Sequence, residues 1–293
     1  MTSPSIFRHY ARVIQHFAST RALEVLALQA SPLLGCFLGG FTPGRSDLIR
    51  LGLLLLGSLA LTAHVFVFND WAGQSSDIRD PRRAMFVFSR QGISSSQVAR
   101  VATALLIFAN VAFACVGKPA ILLGAAIATL SLLYSCSPSF GKSTPIMASL
   151  NHLLGGALHF LLGYTLFHPL DVSGLMISLF FGLVFAGGHL NQEVRDYEGD
   201  LLNGIRTSAV VFGCRRTFLA SLLTFTAAYA ILGDLAALGI LPRFLLWSTV
   251  LWLLHVAWSL RALQHGLGFE TAIWMQRRYR LLFACIGLAM LAR

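Results

Sequence analysis

The chain has 293 residues, 56% of them hydrophobic and only 12% charged, with a formal net charge of +10. Soluble domains carry about 25% charged residues, and a soluble all-helical core cannot cover apolar runs that recur from end to end. The composition therefore excludes a soluble globular protein and predicts a polytopic, all-α membrane protein. The basic excess needs no nucleic acid partner, because membrane topology and attraction to the lipid bilayer's anionic headgroups account for it.

Residues 4–20 differ from the rest of the chain. Ile6, Tyr10, Val13, Ile14 and Phe17 recur at helical spacing, with Arg8 and Arg12 elsewhere. This pattern predicts an N-terminal amphipathic helix lying in the membrane interface, occupying residues 1–20 ahead of a membrane domain at 21–293. The segment lacks the apolar core of a signal peptide, so no cleavage is expected. The absence of an evident transit peptide favours a bacterial inner membrane.

Nine spans are predicted, at 22–41, 49–69, 97–117, 119–136, 146–167, 173–193, 215–236, 244–263 and 279–292. Most reach the roughly 17–25 residues that a spanning helix needs, and the last is short. With the N-terminus in the cytoplasm, 17 of the 22 basic residues fall on the cytoplasmic side. That bias fixes the orientation. The five cysteines are scattered and read as small apolar fillers. His64 and His189 each precede an acid cluster and read first as histidines bonded to a neighbouring helix.

The chain has only 12 acidic residues, and two clusters hold seven of them. Span 2 runs into Asn69-Asp70-Trp71-Ala72-Gly73-Gln74-Ser75-Ser76-Asp77, with Asp80 beyond. Span 6 runs into Asn191-Gln192-Glu193-Val194-Arg195-Asp196-Tyr197-Glu198-Gly199-Asp200. Both lie on the predicted cytoplasmic side. Spans 2 and 6 hold corresponding places in two four-helix halves. This weak echo predicts a pseudo-repeated bundle, two halves plus one helix around a central cavity, with the clusters facing each other. Carboxylates at a membrane boundary are costly to desolvate, so such clusters suggest a site. Asp196 and Asp200 are four apart and share a helix face, as do Asp70 and Asp77 two turns apart; stacked like charges need cations. Magnesium suits them, because it takes a few carboxylates and accepts phosphate oxygens. A solvated loop balanced by nearby arginines is the plainer reading of either cluster alone.

Between the clusters lies Leu133-Tyr134-Ser135-Cys136-Ser137-Pro138-Ser139-Phe140-Gly141-Lys142. Lys142 is the one lysine on the predicted cytoplasmic side and suits a phosphate as a point charge. Tyr134 and Ser135 offer hydroxyl donors. A Pro-Ser turn with a snorkelling lysine is the alternative.

At these residues the chain resembles the UbiA superfamily of intramembrane prenyltransferases. Asn69-Asp70 with Asp77, then Tyr134-Ser135 with Lys142, then Asp196-Tyr-Glu-Gly-Asp200 with Gly204 and Thr207 match its motifs, and the likeness covers roughly residues 20–290. It implies Mg2+-dependent transfer of an isoprenyl group from an isoprenyl diphosphate donor to a lipophilic acceptor, chiefly an aromatic one. Two magnesium ions would lie between Asp70 and Asp77, with Asn69, and Asp196 and Asp200. Lys142, Arg206, Arg82 and Arg83 would neutralise the diphosphate. Asn151 and Asn191 would orient a metal water or the acceptor, or else join helices. One position departs from the pattern: the first motif of the superfamily is Asn-Asp-x2-Asp-x3-Asp, and Gly73 stands at its middle aspartate. Asp80 or a water would have to compensate. A membrane terpene cyclase would use the same site, and Gly73 also fits a non-catalytic relative. An ion-coupled transporter suits it less, because transporter sites lie near mid-membrane.

Overall fold

The computed structural model describes residues 4–292, with side chains from Tyr10 onward; the expectations for the Ile6 and Arg8 side chains and for Arg293 lie outside what is described. Eleven α-helices succeed one another, and no strand occurs among the described residues. They are α1 (Pro4–Leu28), α2 (Ala30–Leu38), α3 (Arg45–Asp77), α4 (Ser95–Val116), α5 (Lys118–Cys136), α6 (Met147–Phe167), α7 (Val172–Leu202), α8 (Ser208–Phe212), α9 (Cys214–Ala237), α10 (Ser248–His265) and α11 (Phe269–Met290).

Seven stretches are long and apolar enough to cross a membrane: Tyr10–Leu38, α3, α4, α5, α7, α9, and Arg243–His265, which contains α10. The predicted count was nine. The two that fall short are α6 and α11, whose 21 and 22 residues are long enough but carry polar groups. In α6 those groups turn inward. His159 is buried and its Nε2 lies 2.9 Å from Ser58 Oγ on α3. Asn151 Nδ2 donates to the Leu130 carbonyl of α5 at 2.9 Å.

Two boundaries differ from expectation. The interfacial segment and the first span form one helix through residue 20, because nothing between Pro4 and Leu28 breaks it and Arg21 pairs with Glu24 one turn on (3.2 Å). The interruption comes at Gln29, three residues before Pro32, whose ring disfavours helix continuing from the turn before it. Part of the apolar face of α1 is covered by protein: Val13 is fully buried in a cluster with Val67, Phe88 and Val98, while Ile14 stays exposed. At the other end, α11 begins ten residues before the predicted 279. Arg278 extends it by lying over the Trp274 ring at 3.7 Å, which shelters the charge on an aromatic face.

Two apolar cores hold the bundle. One gathers α6, α7, α9 and α11 around Phe160, Phe180, Phe181 and Leu232. The other gathers α3, α4 and α5 around Leu54, Leu61 and Phe113. Helix α2 meets α6 backbone to backbone. A Cβ on Gly163 would stand 1.8 Å from the Pro32 carbonyl oxygen, one on Gly35 2.3 Å from that of Phe160, and one on Gly39 2.6 Å from that of Tyr164. Small residues four apart, as in Gly35 and Gly39, permit such approach in lipid. Gly163→Ala is therefore expected to destabilise the protein by about 3 kcal/mol or more, since backbone on both sides must shift. A thermal midpoint unchanged in detergent would show that α2 and α6 are not in contact there.

Candidate active site

Helices α3 and α7 are the longest, at 33 and 31 residues. At about 1.5 Å per residue each exceeds the roughly 30 Å hydrocarbon layer by about 17–20 Å. Part of each helix therefore extends beyond the acyl chains, and both acid clusters sit on the C-terminal turns. Arginines pair with most of these carboxylates, which explains how seven acids are tolerated in so apolar a chain.

The two clusters meet through Arg83, on the segment after α3. Its guanidinium donates to Asp77 Oδ1 (3.3 Å), lies 3.7 Å from Asp80 Oδ2, and pairs with Asp196 on α7. Burial alone would lower the arginine's pKa, but Asp196 and Asp77 outweigh it and hold Arg83 more firmly protonated than usual. Arg195 grips Asp196 with two bonds of 2.8 Å, and Arg82 pairs with Glu198 at 2.6 Å. Gly199 permits this approach: a Cβ there would stand 2.3 Å from Asp80 Oδ2. Asp80 accepts from the Arg82 backbone N–H at 2.9 Å and so caps its own turn against α7.

The first motif divides between two faces of α3. Asp70 turns to α1, where Arg21 donates to it at 3.0 Å. Asn69 Oδ1 is buried and has no hydrogen-bond partner. Gly73 faces the loop of Lys142: a Cβ at Gly73 would stand 3.0 Å from Lys142 Nζ and 3.2 Å from Asp77 Oδ2. That loop folds back on the end of α5. The Lys142 N–H donates to the Tyr134 carbonyl at 2.9 Å, and Gly141 is needed because a Cβ would stand 2.3 Å from the Ser137 carbonyl oxygen. Four residues on, Ile146 has φ +69°, a left-handed conformation that costs a β-branched residue on the order of 1–3 kcal/mol. Its N–H donates to Ser208 Oγ at 3.2 Å, which ties the lysine loop to the turn after the second motif.

Beneath the acids lies a polar group that sequence reading missed in part. The His152 and His189 rings stack at 3.8 Å, with the Tyr134 ring edge-on to both. Tyr134 Oη is 3.5 Å from His189 Nε2, and His189 Nδ1 is 3.2 Å from Ser149 Oγ and 3.6 Å from Glu193 Oε1. His152 sits within an apolar span, and an intramembrane ionisable residue is itself the signal that was available. Arg21 carries no motif signal in the sequence and enters the site only through its pairing with Asp70. Asn191 Nδ2 donates to the Ala272 carbonyl of α11 at 3.2 Å, and Asn151 is held by α5, so both amides join helices. His64 likewise joins α3 to α4, through the Ala102 carbonyl at 2.8 Å. Ser135 Oγ is buried without a partner, and Arg206 is exposed in the loop after α7.

Among the described residues no three acid, histidine or cysteine side chains gather closely enough to hold a metal by themselves. The surroundings nevertheless fit a hard cation that shares its coordination with a ligand. The donors are carboxylates and an unpartnered amide oxygen, and the Arg83 cation already bridges the two acid faces.

Such an arrangement defines a polytopic helical membrane protein in which the acid ends of two long helices meet beside a lysine loop. The chain belongs to the UbiA prenyltransferase family, whose profile matches residues 32–285. Solved structures share the fold at low identity. A UbiA homolog from Archaeoglobus fulgidus bound to GPP and Mg2+ superposes with a TM-score of 0.74 at 18% identity, covering 94% of this chain and 99% of that one. A digeranylgeranylglyceryl phosphate synthase gives 0.70 at 16% identity, covering 95% and 97%. The apo UbiA homolog from Aeropyrum pernix K1 gives 0.69 at 16%, covering 90% and 96%. No curated protein matches the chain in sequence.

Proposed function

We propose that the protein transfers an isoprenyl group from an isoprenyl diphosphate to a lipophilic, aromatic acceptor within the membrane, with nine helices crossing the bilayer and the site on the cytoplasmic face. Family membership supports prenyl transfer, and the homolog that shares the fold was solved with GPP and Mg2+. The observation that carries the reading is the meeting of both acid clusters at Arg83, with Lys142 on the same side of α3. Those cations would grip the diphosphate, with Arg82 and Arg206 at the rim and the Tyr134 and Ser135 hydroxyls as donors.

Asp77, Asp196, Asp200 and Asn69 would hold magnesium, which supplies Lewis-acid charge to the leaving group when bound. The allylic C1–O bond breaks and its electron pair leaves with the diphosphate. A ring carbon of the acceptor then bonds to C1 and loses its proton. Asn151 and Asn191 position α5–α6 and α7–α11 around the site. Asp70, paired with Arg21, fastens α1 to the acid end of α3.

Membranes carrying the protein are supplied with geranyl, farnesyl and geranylgeranyl diphosphates and Mg2+, with or without an aromatic acceptor pool, and the organic extract is analysed by mass spectrometry. Diphosphate release that requires the acceptor, with a prenylated product, is expected. A cyclic hydrocarbon or alcohol without acceptor would replace transfer by cyclisation, and no release from any donor would overturn the reading.

A further inference from the structure

Asn69, Gly73 and Asp77 lie at successive steps of four along α3, on one helix face. A side chain at position 73 would project toward Lys142 Nζ, with Asp77 Oδ2 on the same side. The likeness to UbiA enzymes puts an aspartate at 73. Here a lysine ammonium borders the space which that carboxylate would fill.

The charges then differ between the two faces. On α7, Asp200 forms no ion pair within the described residues, while Asp196 is shared by Arg83 and Arg195. On α3, Asp70 is drawn off by Arg21, which leaves Asp77, the Asn69 amide and an adjacent ammonium. A divalent ion there would have one carboxylate instead of two and a cation beside it. Magnesium demands near-ideal geometry and parts reluctantly with water, so a site that has lost a carboxylate and gained a repulsive neighbour is a poor one. A lysine, by contrast, needs no coordination geometry to neutralise a phosphate oxygen.

Resting on the prenyl-transfer reading, we infer that this protein binds its diphosphate donor with a single divalent ion, held from α7 with Asp77 across from it, and that Lys142 takes the place of a second ion on the α3 side. Gly73 is the permissive residue: without a Cβ it leaves room for the lysine. The lysine side chain is flexible at its end, so a side chain at 73 is sterically admissible and the substitution tests charge more than fold.

The test counts ions directly. Purified protein in nanodiscs is mixed with Mn2+ and geranyl S-thiolodiphosphate, a slow-reacting donor analogue, and bound Mn2+ is counted by electron paramagnetic resonance. One ion per chain is expected for the wild type. Two ions, with spin–spin broadening, are expected for the double variant Gly73→Asp/Lys142→Gln, which restores the carboxylate and removes the competing charge. Two ions in the wild type would overturn the inference and leave prenyl transfer standing. A double variant that stays at one ion would also overturn it, because Gly73 and Lys142 would then not set the count. No Mn2+-dependent binding of the analogue to either protein would overturn both this inference and the proposed function.

Discussion

Replacing Asp200 by alanine is expected to lower prenyl transfer by about a thousandfold while the protein keeps its thermal midpoint in detergent. Every clustered aspartate but one pairs with arginine within the described residues, Asp70 with Arg21, Asp77 and Asp80 with Arg83, and Asp196 with Arg83 and Arg195; Glu198 pairs with Arg82, and buried Glu193 has no hydrogen-bond partner. Asp200 is the exception, and its carboxylate is free for an ion or the donor. Its removal thus takes away charge that acts on the leaving group and breaks no ion pair that holds the fold. Losing one preorganised electrostatic group in an active site costs on the order of a hundred- to a thousandfold, and losing an ion ligand belongs at the upper end. Asp196→Ala is expected to lose activity equally but to lower the midpoint as well, since Arg83 and Arg195 would both be left without it. Near-wild-type turnover in Asp200→Ala would remove that residue from the site, and equal midpoint losses in both variants would show that the asymmetry in pairing is not real.

Sequence showed the bundle well where polarity and periodicity agree. The acid ends of α3 and α7 stood out because charge is so rare in the chain, and seven of the predicted spans correspond to helices apolar enough to cross. It showed poorly what depends on contact. The continuity of α1 through residue 20 was missed because a change from amphipathic to apolar pattern resembles a boundary, whereas only Pro32 carries a backbone reason for one. The early start of α11 was missed because Arg277 and Arg278 look too costly for a span until Trp274 is seen beneath the second of them. Within the site, Asp70 and Asp77 were read as partners from their two-turn spacing. Their actual environments differ, since Arg21 arrives from 49 residues away. The meaning of Gly73 was equally hidden: a missing carboxylate is visible in one dimension, but the ammonium beside it comes from a loop after α5.

Arg83→Ala is expected to lower turnover by about a hundredfold and to lower the thermal midpoint by a few degrees in EDTA. The size of the first effect reflects the removal of one charged donor aimed at a developing diphosphate charge. The second arises from repulsion when EDTA withholds divalent ions. Without the guanidinium, Asp77 and Asp196 face each other with no bridging charge, and like carboxylates brought together repel. Arg83 is about 41% exposed at its side chain, so solvent screens the pairs and their combined loss is worth about 1 kcal/mol. The sign of the metal response separates the two roles. A divalent ion supplies between the acids the positive charge that the arginine supplied, so adding Mg2+ is expected to stabilise Arg83→Ala more than the wild type and to narrow the gap in midpoint. It is not expected to restore turnover, because the ion cannot also take the arginine's place on the diphosphate. A gap that stays constant from EDTA to millimolar Mg2+ would show that Arg83 and the ion do not share the space between α3 and α7, and the bridge between the two acid clusters would lose its link to metal binding.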